Sequence, residues 1–143
     1  MKKLHTSPNF ALWQCYQDIK IRFQNRASLA VSQKLGDEYL IITACNPKSF
    51  PLSDQQNRLQ TQKMRRYLKT KQIKFCEIHV GNVDFSWSEH SFAMKLSLNR
   101  GVNLARIYRQ NAIYCVRNGT LWLLPVLLNE YKSENLGPVE DFS

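Results

Sequence analysis

Hydrophobic and polar positions change their period several times along the 143-residue chain, and each change marks a predicted element. Residues 39–45, YLIITAC, form a nearly unbroken apolar run rich in isoleucine, the pattern of an inner strand covered on both faces. Asn46-Pro47 turns the chain and Pro51 extends the corner. Ser53 and Gln56 then make a Ser-x-x-Gln capping box, which predicts a helix from 53 to about 71. On a wheel of about 100° per residue, Asn57, Met64 and Leu68 share one side and Arg58, Arg65 and Lys69 take the opposite one.

Upstream, Ser7-Pro8 reads as a helix start, and Phe10, Leu12, Trp13 and Tyr16 supply an apolar face for a helix over about 8–17. Ile19, Ile21 and Phe23 alternate with polar residues, as in a half-buried strand, and residues 26–36 suit a short helix broken at Gly36-Asp37. Downstream, two alternating runs, 74–80 and one holding Phe92, Met94 and Leu96, read as strands joined by a loop over 81–89. Leu98, Val102, Ala105 and Tyr108 recur at helical spacing, with Gly101 as a weak point. Residues 112–116 and 121–127 flank Asn118-Gly119, a strong hairpin signal.

From residue 39 onward the order is strand, helix, strand, strand, helix, strand, strand. The expectation is an α+β chain with a mixed β-sheet, a ferredoxin-like (split β-α-β) core, an N-terminal helix and a C-terminal β-hairpin. Its helices should lie largely on one face. One globular domain over 1–143 suits the length, with a loosely held tail from about 130.

Composition narrows the class. Hydrophobic residues at 43% and charged residues at 22% describe a globular chain. The sequence holds no apolar run long enough for a membrane span and MKKLHTSPNF lacks a signal-peptide core, so a soluble, cytoplasmic protein is expected. Cys15, Cys45, Cys76 and Cys115 form no C-x-x-C pair and read as reduced, buried hydrophobes; neither a metal site nor a cofactor is expected.

Charge points to a partner. Lys and Arg outnumber Asp and Glu by 20 to 11, a net +9. Residues 58–74 hold seven cations (Arg58, Lys63, Arg65, Arg66, Lys69, Lys71, Lys74) and no carboxylate, while the last stretch reverses sign with Glu130, Glu134, Glu140 and Asp141. An ordinary solvated helix interleaves acids for i to i+4 pairs. Their absence favours phosphate neutralisation by Arg58, Lys63, Arg65, Arg66 and Lys69, with nucleic acid as the commonest polyanion. Tyr67 and Tyr108 either add base stacking or sit at core edges.

A second constellation is polar. In the expected topology Thr43, Asn46, Asn57, Gln110 and Asn111 converge at one sheet edge, either to read a base edge or small polar ligand or to satisfy one another around the Asn-Pro corner. Glu89 and Ser91 are placed at the far edge, about 16 Å away, with Glu89 paired to an arginine. A thiolate dyad of Cys45 with His79 or His90 is the remaining catalytic arrangement. The sequence has no Gly-rich phosphate loop, H-E-x-x-H, G-x-S-x-G or Walker lysine, and catalytic residues are not identified.

The spacing of Thr43, Asn46-Pro47, Asn57, Gly81, Trp87, Glu89, Ser91 and Gln110-Asn111 resembles the bacterial domain of unknown function 3293 family over about residues 39–126. The resemblance implies a shared fold and makes Thr43, Asn46, Pro47, Asn57, Trp87, Glu89, Ser91, Gln110 and Asn111 signature positions; it implies no reaction. The leading expectation is therefore a small cytosolic domain that binds a polyanion through its basic helix. The alternative is a small-molecule enzyme or ligand-binding domain using Thr43, Asn46, Asn57, Glu89, Ser91, Gln110 and Asn111, and the third is a protein-interaction or inhibitor module directed at an acidic partner. A concave pocket joining Glu89 to the amides favours the second.

Overall fold

The computed structural model describes residues 9–23 and 28–143, so the expected helix start at Ser7-Pro8 and the start of the helix expected at 26 lie outside the described residues. The elements are α1 (Phe10–Cys15), β1 (Ile19–Arg22), α2 (Ser28–Leu35), β2 (Glu38–Thr43), α3 (Asp54–Thr70), β3 (Phe75–Asn82), β4 (Ser88–Met94), α4 (Leu98–Ile107), β5 (Ala112–Arg117), β6 (Thr120–Pro125) and β7 (Glu134–Pro138). Short 3₁₀ turns occupy Pro47–Ser49 and Val139–Phe142.

Local chemistry accounts for the boundaries. Ser53 caps α3: its hydroxyl accepts from the Gln56 N–H while the Gln56 side chain accepts from the Ser53 N–H, a reciprocal cap worth about 1 kcal/mol. Asn118 and Gly119 both take positive φ, 51° and 79°, as the two-residue turn between paired Arg117 and Thr120 requires.

The seven strands form one sheet in the order β1-β3-β4-β2-β5-β6-β7. Every ladder is antiparallel, which corrects the expectation of a mixed sheet. The physical reason lies in the helical crossovers. The strands joined through α3 are separated by β4, and those joined through α4 are separated by β2. Parallel strands are therefore never neighbours.

Central β2 feeds two cores by simple alternation. Tyr39 and Ile41 face one side and Leu40 and Ile42 the other, each 3% exposed or less. Complete burial of such side chains contributes about 1.5–3 kcal/mol each. Met64 and Leu68 of α3 and Leu104 and Ala105 of α4 cover Leu40, Ile42, Phe92 and Met94. The opposite face is covered by Trp13 of α1, Val31 and Leu35 of α2, and Val139 of the final turn. The helices thus divide two and two, where one face had been expected to carry most of them. A sheet with apolar side chains on both faces needs two covers.

Gly101 lets α4 approach β2 closely, because a Cβ there would meet Leu40 Cδ1 at 2.1 Å. The expected loose tail is also corrected: β7 pairs with β6, Tyr131 and Val139 are buried, and Tyr131 stacks on Trp13 at 4.8 Å. The sheet curls enough for β1 to touch the final 3₁₀ turn.

Candidate small-molecule site

Beyond Thr43 the chain enters a corner that is unusual for its backbone. Asn46, Lys48 and Ser49 all take positive φ, at 47°, 55° and 65°, a conformation that costs a non-glycine residue roughly 1 kcal/mol. Hydrogen bonds hold it. The Asn46 Oδ1 accepts from the Leu52 N–H at 2.9 Å and from Asn57 Nδ2 at 2.8 Å, Asn57 Oδ1 accepts from the Asn46 N–H at 2.9 Å, and the Lys48 N–H donates to Arg109 O at 2.7 Å. The inward side of α3 is therefore fastened to the corner through Asn57, as its wheel position suggested.

Asn46 has one amide direction left, and it donates to Glu89 Oε2 at 2.8 Å. Glu89 and Ser91 therefore belong with the cluster, against the expectation that placed them about 16 Å away. The direction of β4 explains the difference: it runs antiparallel to β2, so its first residues lie beside the last residues of β2, and Ser91 stands opposite Thr43. Thr43 donates to His90 O at 2.8 Å and Ser91 to Glu89 O at 3.1 Å. Gln110 donates to Cys45 O at 3.0 Å and Tyr108 O at 3.2 Å, while Asn111 donates to Ser49 Oγ at 3.2 Å. The Ser49 hydroxyl also bonds the Tyr16 hydroxyl.

Two cavities meet this cluster. The larger, about 780 Å³, is lined by Ile41, Val80 and Tyr114 together with Thr43, Glu89, Ser91 and Gln110; Tyr16, Ser49 and the half-exposed Trp87 also line it. The smaller, about 430 Å³, lies against α3 and includes Asn46, Asn57, Arg58, Arg65, Glu89 and His90. Glu89 lines both. Burial pushes its carboxyl up to about 7, opposed by the Asn46 hydrogen bond. Tyr16 and Ser49 escaped sequence reasoning; tyrosine in an amphipathic stretch and serine in a turn carry no signal of their own, and only the fold brings them to Asn111.

Other expectations need correction. Glu89 has no arginine partner among the described residues. Glu77 has one, accepting from Arg65 Nε at 2.7 Å and Nη2 at 2.6 Å. That bidentate pair, 2.6 Å at its closest, removes Arg65 from the basic ridge, while Arg58, Lys63, Arg66 and Lys69 remain exposed. The cysteine-histidine dyad does not form: Cys45 Sγ lies 3.7 Å from the His90 carbonyl, the His90 ring bonds Glu77, and burial raises the thiol. His79 packs edge-on against that ring. Tyr108, 6% exposed, belongs to the core and offers no stacking face. Cys45 and Cys115 are buried, but Cys15 is exposed and Cys76 only half-buried. No group of three or more His, Cys, Asp or Glu among the described residues is placed to hold a metal, and no described helix is long and apolar enough to cross a membrane.

Fold and site together define an antiparallel α+β protein with a half-buried carboxyl in the wall of a largely apolar cavity, fixed by an amide from a corner of left-handed backbone. The chain belongs to the family described as Protein of unknown function (DUF3293), whose match covers residues 42–113, just over half its length. That span contains Thr43, Asn46, Asn57, Glu89, Ser91, Gln110 and Asn111, while Tyr16 and Tyr114 of the cavity wall lie outside it. No curated protein and no solved structure gives a significant match.

Proposed function

We propose that the chain binds a small molecule in the larger cavity and that Glu89 exchanges a proton with it. One observation carries this reading: the Glu89 carboxyl, lifted to about 7 by burial and oriented by Asn46, borders a cavity of about 780 Å³. A group half-protonated near neutrality serves equally as donor and acceptor, the property required of a general acid or base. Apolar walls with a few oriented polar groups are the usual make-up of small-ligand sites. The strained corner adds support, because such backbone persists where surrounding contacts over-determine it and it concentrates at functional sites. The test is a ligand-observed NMR screen of polar small molecules on wild type and on Ser91→Leu, which places an apolar side chain in the cavity. Hits lost in the variant, with its melting curve retained, support the reading; hits indifferent to the substitution overturn it.

A second reading, nucleic-acid binding through α3, draws on the exposure of Arg58, Lys63, Arg66 and Lys69, none of which has an ion-pair partner among the described residues. Four phosphate contacts would give a log-log salt slope of about −4 on duplex DNA. An affinity indifferent to salt removes this reading. We also read β2 through β5, with α3 and α4 on one face, as a ferredoxin-like split β-α-β core, which the order β3-β4-β2-β5 supports.

A further inference from the structure

The polar atoms around the larger cavity are unevenly committed. The hydroxyl hydrogens of Thr43, Ser91 and Tyr114 are already directed at main-chain carbonyls, those of His90, Glu89 and Tyr16 respectively. Gln110, only 6% exposed, gives its amide nitrogen to Cys45 O and Tyr108 O. Its carbonyl oxygen has no partner among the described residues. Glu89 Oε2 accepts from Asn46, and Oε1 likewise has no partner among the described residues. These three hydroxyls and the Gln110 amide thus commit hydrogens to the protein, while two acceptor oxygens beside the cavity, Glu89 Oε1 and the Gln110 carbonyl oxygen, have no donor among the described residues.

Charge follows the same direction. In a chain of net charge +9, the described residues lining this cavity include Asp18, Asp84 and Glu89, and no Lys, Arg or His is among them. Trp87, 51% exposed although it lines the cavity, presents the aromatic surface that attracts cations best. An anionic ligand would meet carboxylates with no counter-charge among the described lining residues. A ligand rich in N–H groups would meet acceptors and an aromatic face.

We propose that the ligand of this cavity is a nitrogenous organic cation, an amine, amidine or guanidine on an apolar or aromatic body, whose N–H groups are received by Glu89 and Gln110 and whose flank lies against Trp87. This inference rests on the cavity being a ligand site, and the experiment separates the two ideas. Three probes share one ring and differ in charge and donors: benzamidine, benzamide and benzoate. Each is titrated into the full-length protein while the Trp87 indole N–H resonance, assigned with Trp87→Phe, is followed. Benzamidine is expected to bind saturably with a Kd of about 1 mM or tighter and at least about tenfold more tightly than benzoate, a difference of about 1.4 kcal/mol. Glu89→Gln, nearly isosteric, should weaken benzamidine about tenfold and benzamide by no more than about twofold, a split that a general loosening of the fold would not produce. Benzoate binding as tightly as benzamidine, or benzamidine binding unchanged in Glu89→Gln, overturns the ligand class while leaving the site. No perturbation by any probe at several times that concentration overturns both.

Discussion

Two glutamates on adjacent strands, Glu77 of β3 and Glu89 of β4, show how much environment separates identical side chains. Glu77 faces α3 and is held by both arms of the Arg65 fork, one on each oxygen, with the His90 ring sharing Oε1 with Arg65 Nη2. Those partners hold its carboxyl below the usual range, Arg65 contributing most. Glu89 lies on the other face, bonded to one neutral amide, and burial lifts its carboxyl to about 7. A carboxylate with a cationic partner is committed to structure. One partly withdrawn from water with only an amide for a partner keeps unused acceptor capacity and a labile proton. The difference locates the site more sharply than any motif does.

The largest consequence concerns stability against pH. Glu89 is raised when folded and ordinary, near 4.5, when unfolded, so its contribution is fully present below about 4.5 and is lost as pH rises through about 7. The loss amounts to about 3 kcal/mol at about 1.4 kcal/mol per unit. Glu89→Gln should therefore be more stable than wild type by about 3 kcal/mol at about pH 9 and indistinguishable at about pH 4, as read by urea denaturation at both values. Equal stability at the alkaline value would mean that the carboxyl is not desolvated, and the proton-exchanging role would fall with it.

Glu77 gives the opposite slope. Its contribution is present above its unfolded value and is lost as pH falls through the lowered folded one. Arg65→Ala should cost about 2 kcal/mol at neutral pH, below the range for fully buried pairs because the two side chains are 29% and 22% exposed. It should also flatten the acid limb of the stability curve. Arg65→Lys should recover only part, since an ammonium cannot engage both oxygens as the fork does. An Arg65→Ala protein with an unchanged acid limb would show that Glu77 draws its low value from elsewhere.

The contrast between these residues also marks what the sequence could convey. The apolar run of β2, the Ser53 box and the Asn118-Gly119 turn are local signals, and each became the expected element. The polar positions Thr43, Asn46, Asn57, Gln110 and Asn111 were recognisable because amides and a hydroxyl gather at element ends. The partners of Glu77 and Glu89 were not recognisable, because they depend on which residues stand opposite across a ladder. A wheel puts Arg65 on the outside of α3, yet its long side chain reaches back over β3. The strand direction that brings Glu89 to Asn46 is a property of the completed sheet, as are the two-sided helix cover and the docking of β7.

Asn46 tests the link between the strained corner and Glu89. Asn46→Ala and Asn46→Gly lose the same amide contacts with Leu52, Asn57 and Glu89, but only alanine must hold φ near 47° with a Cβ. The alanine variant should be less stable by about 1 kcal/mol, the cost of a left-handed non-glycine residue. Both should titrate Glu89 higher than wild type, because the hydrogen bond that opposes desolvation is gone. A carbon-detected carboxyl titration would read the shift. A downward movement would show that Asn46 was not what restrains it.

The smallest effect belongs to the ridge that dominated the charge pattern. Lys63 and Lys69 are exposed on α3 and, unlike Arg65, have no carboxylate partner among the described residues. Exposed substitutions away from caps and networks change stability by no more than about 0.5 kcal/mol, so the double variant Lys63→Ala, Lys69→Ala should melt within error of wild type. A loss comparable to Arg65→Ala would reveal tertiary contacts that the exposed positions do not suggest. Because folding is insensitive to these lysines, the same variant isolates binding: with duplex DNA, removing two phosphate contacts should lower the magnitude of the salt slope by about 1.8, while benzamidine binding at Glu89 stays unchanged. If the double variant weakened benzamidine instead and left the salt slope alone, the separation between basic ridge and acidic cavity would collapse.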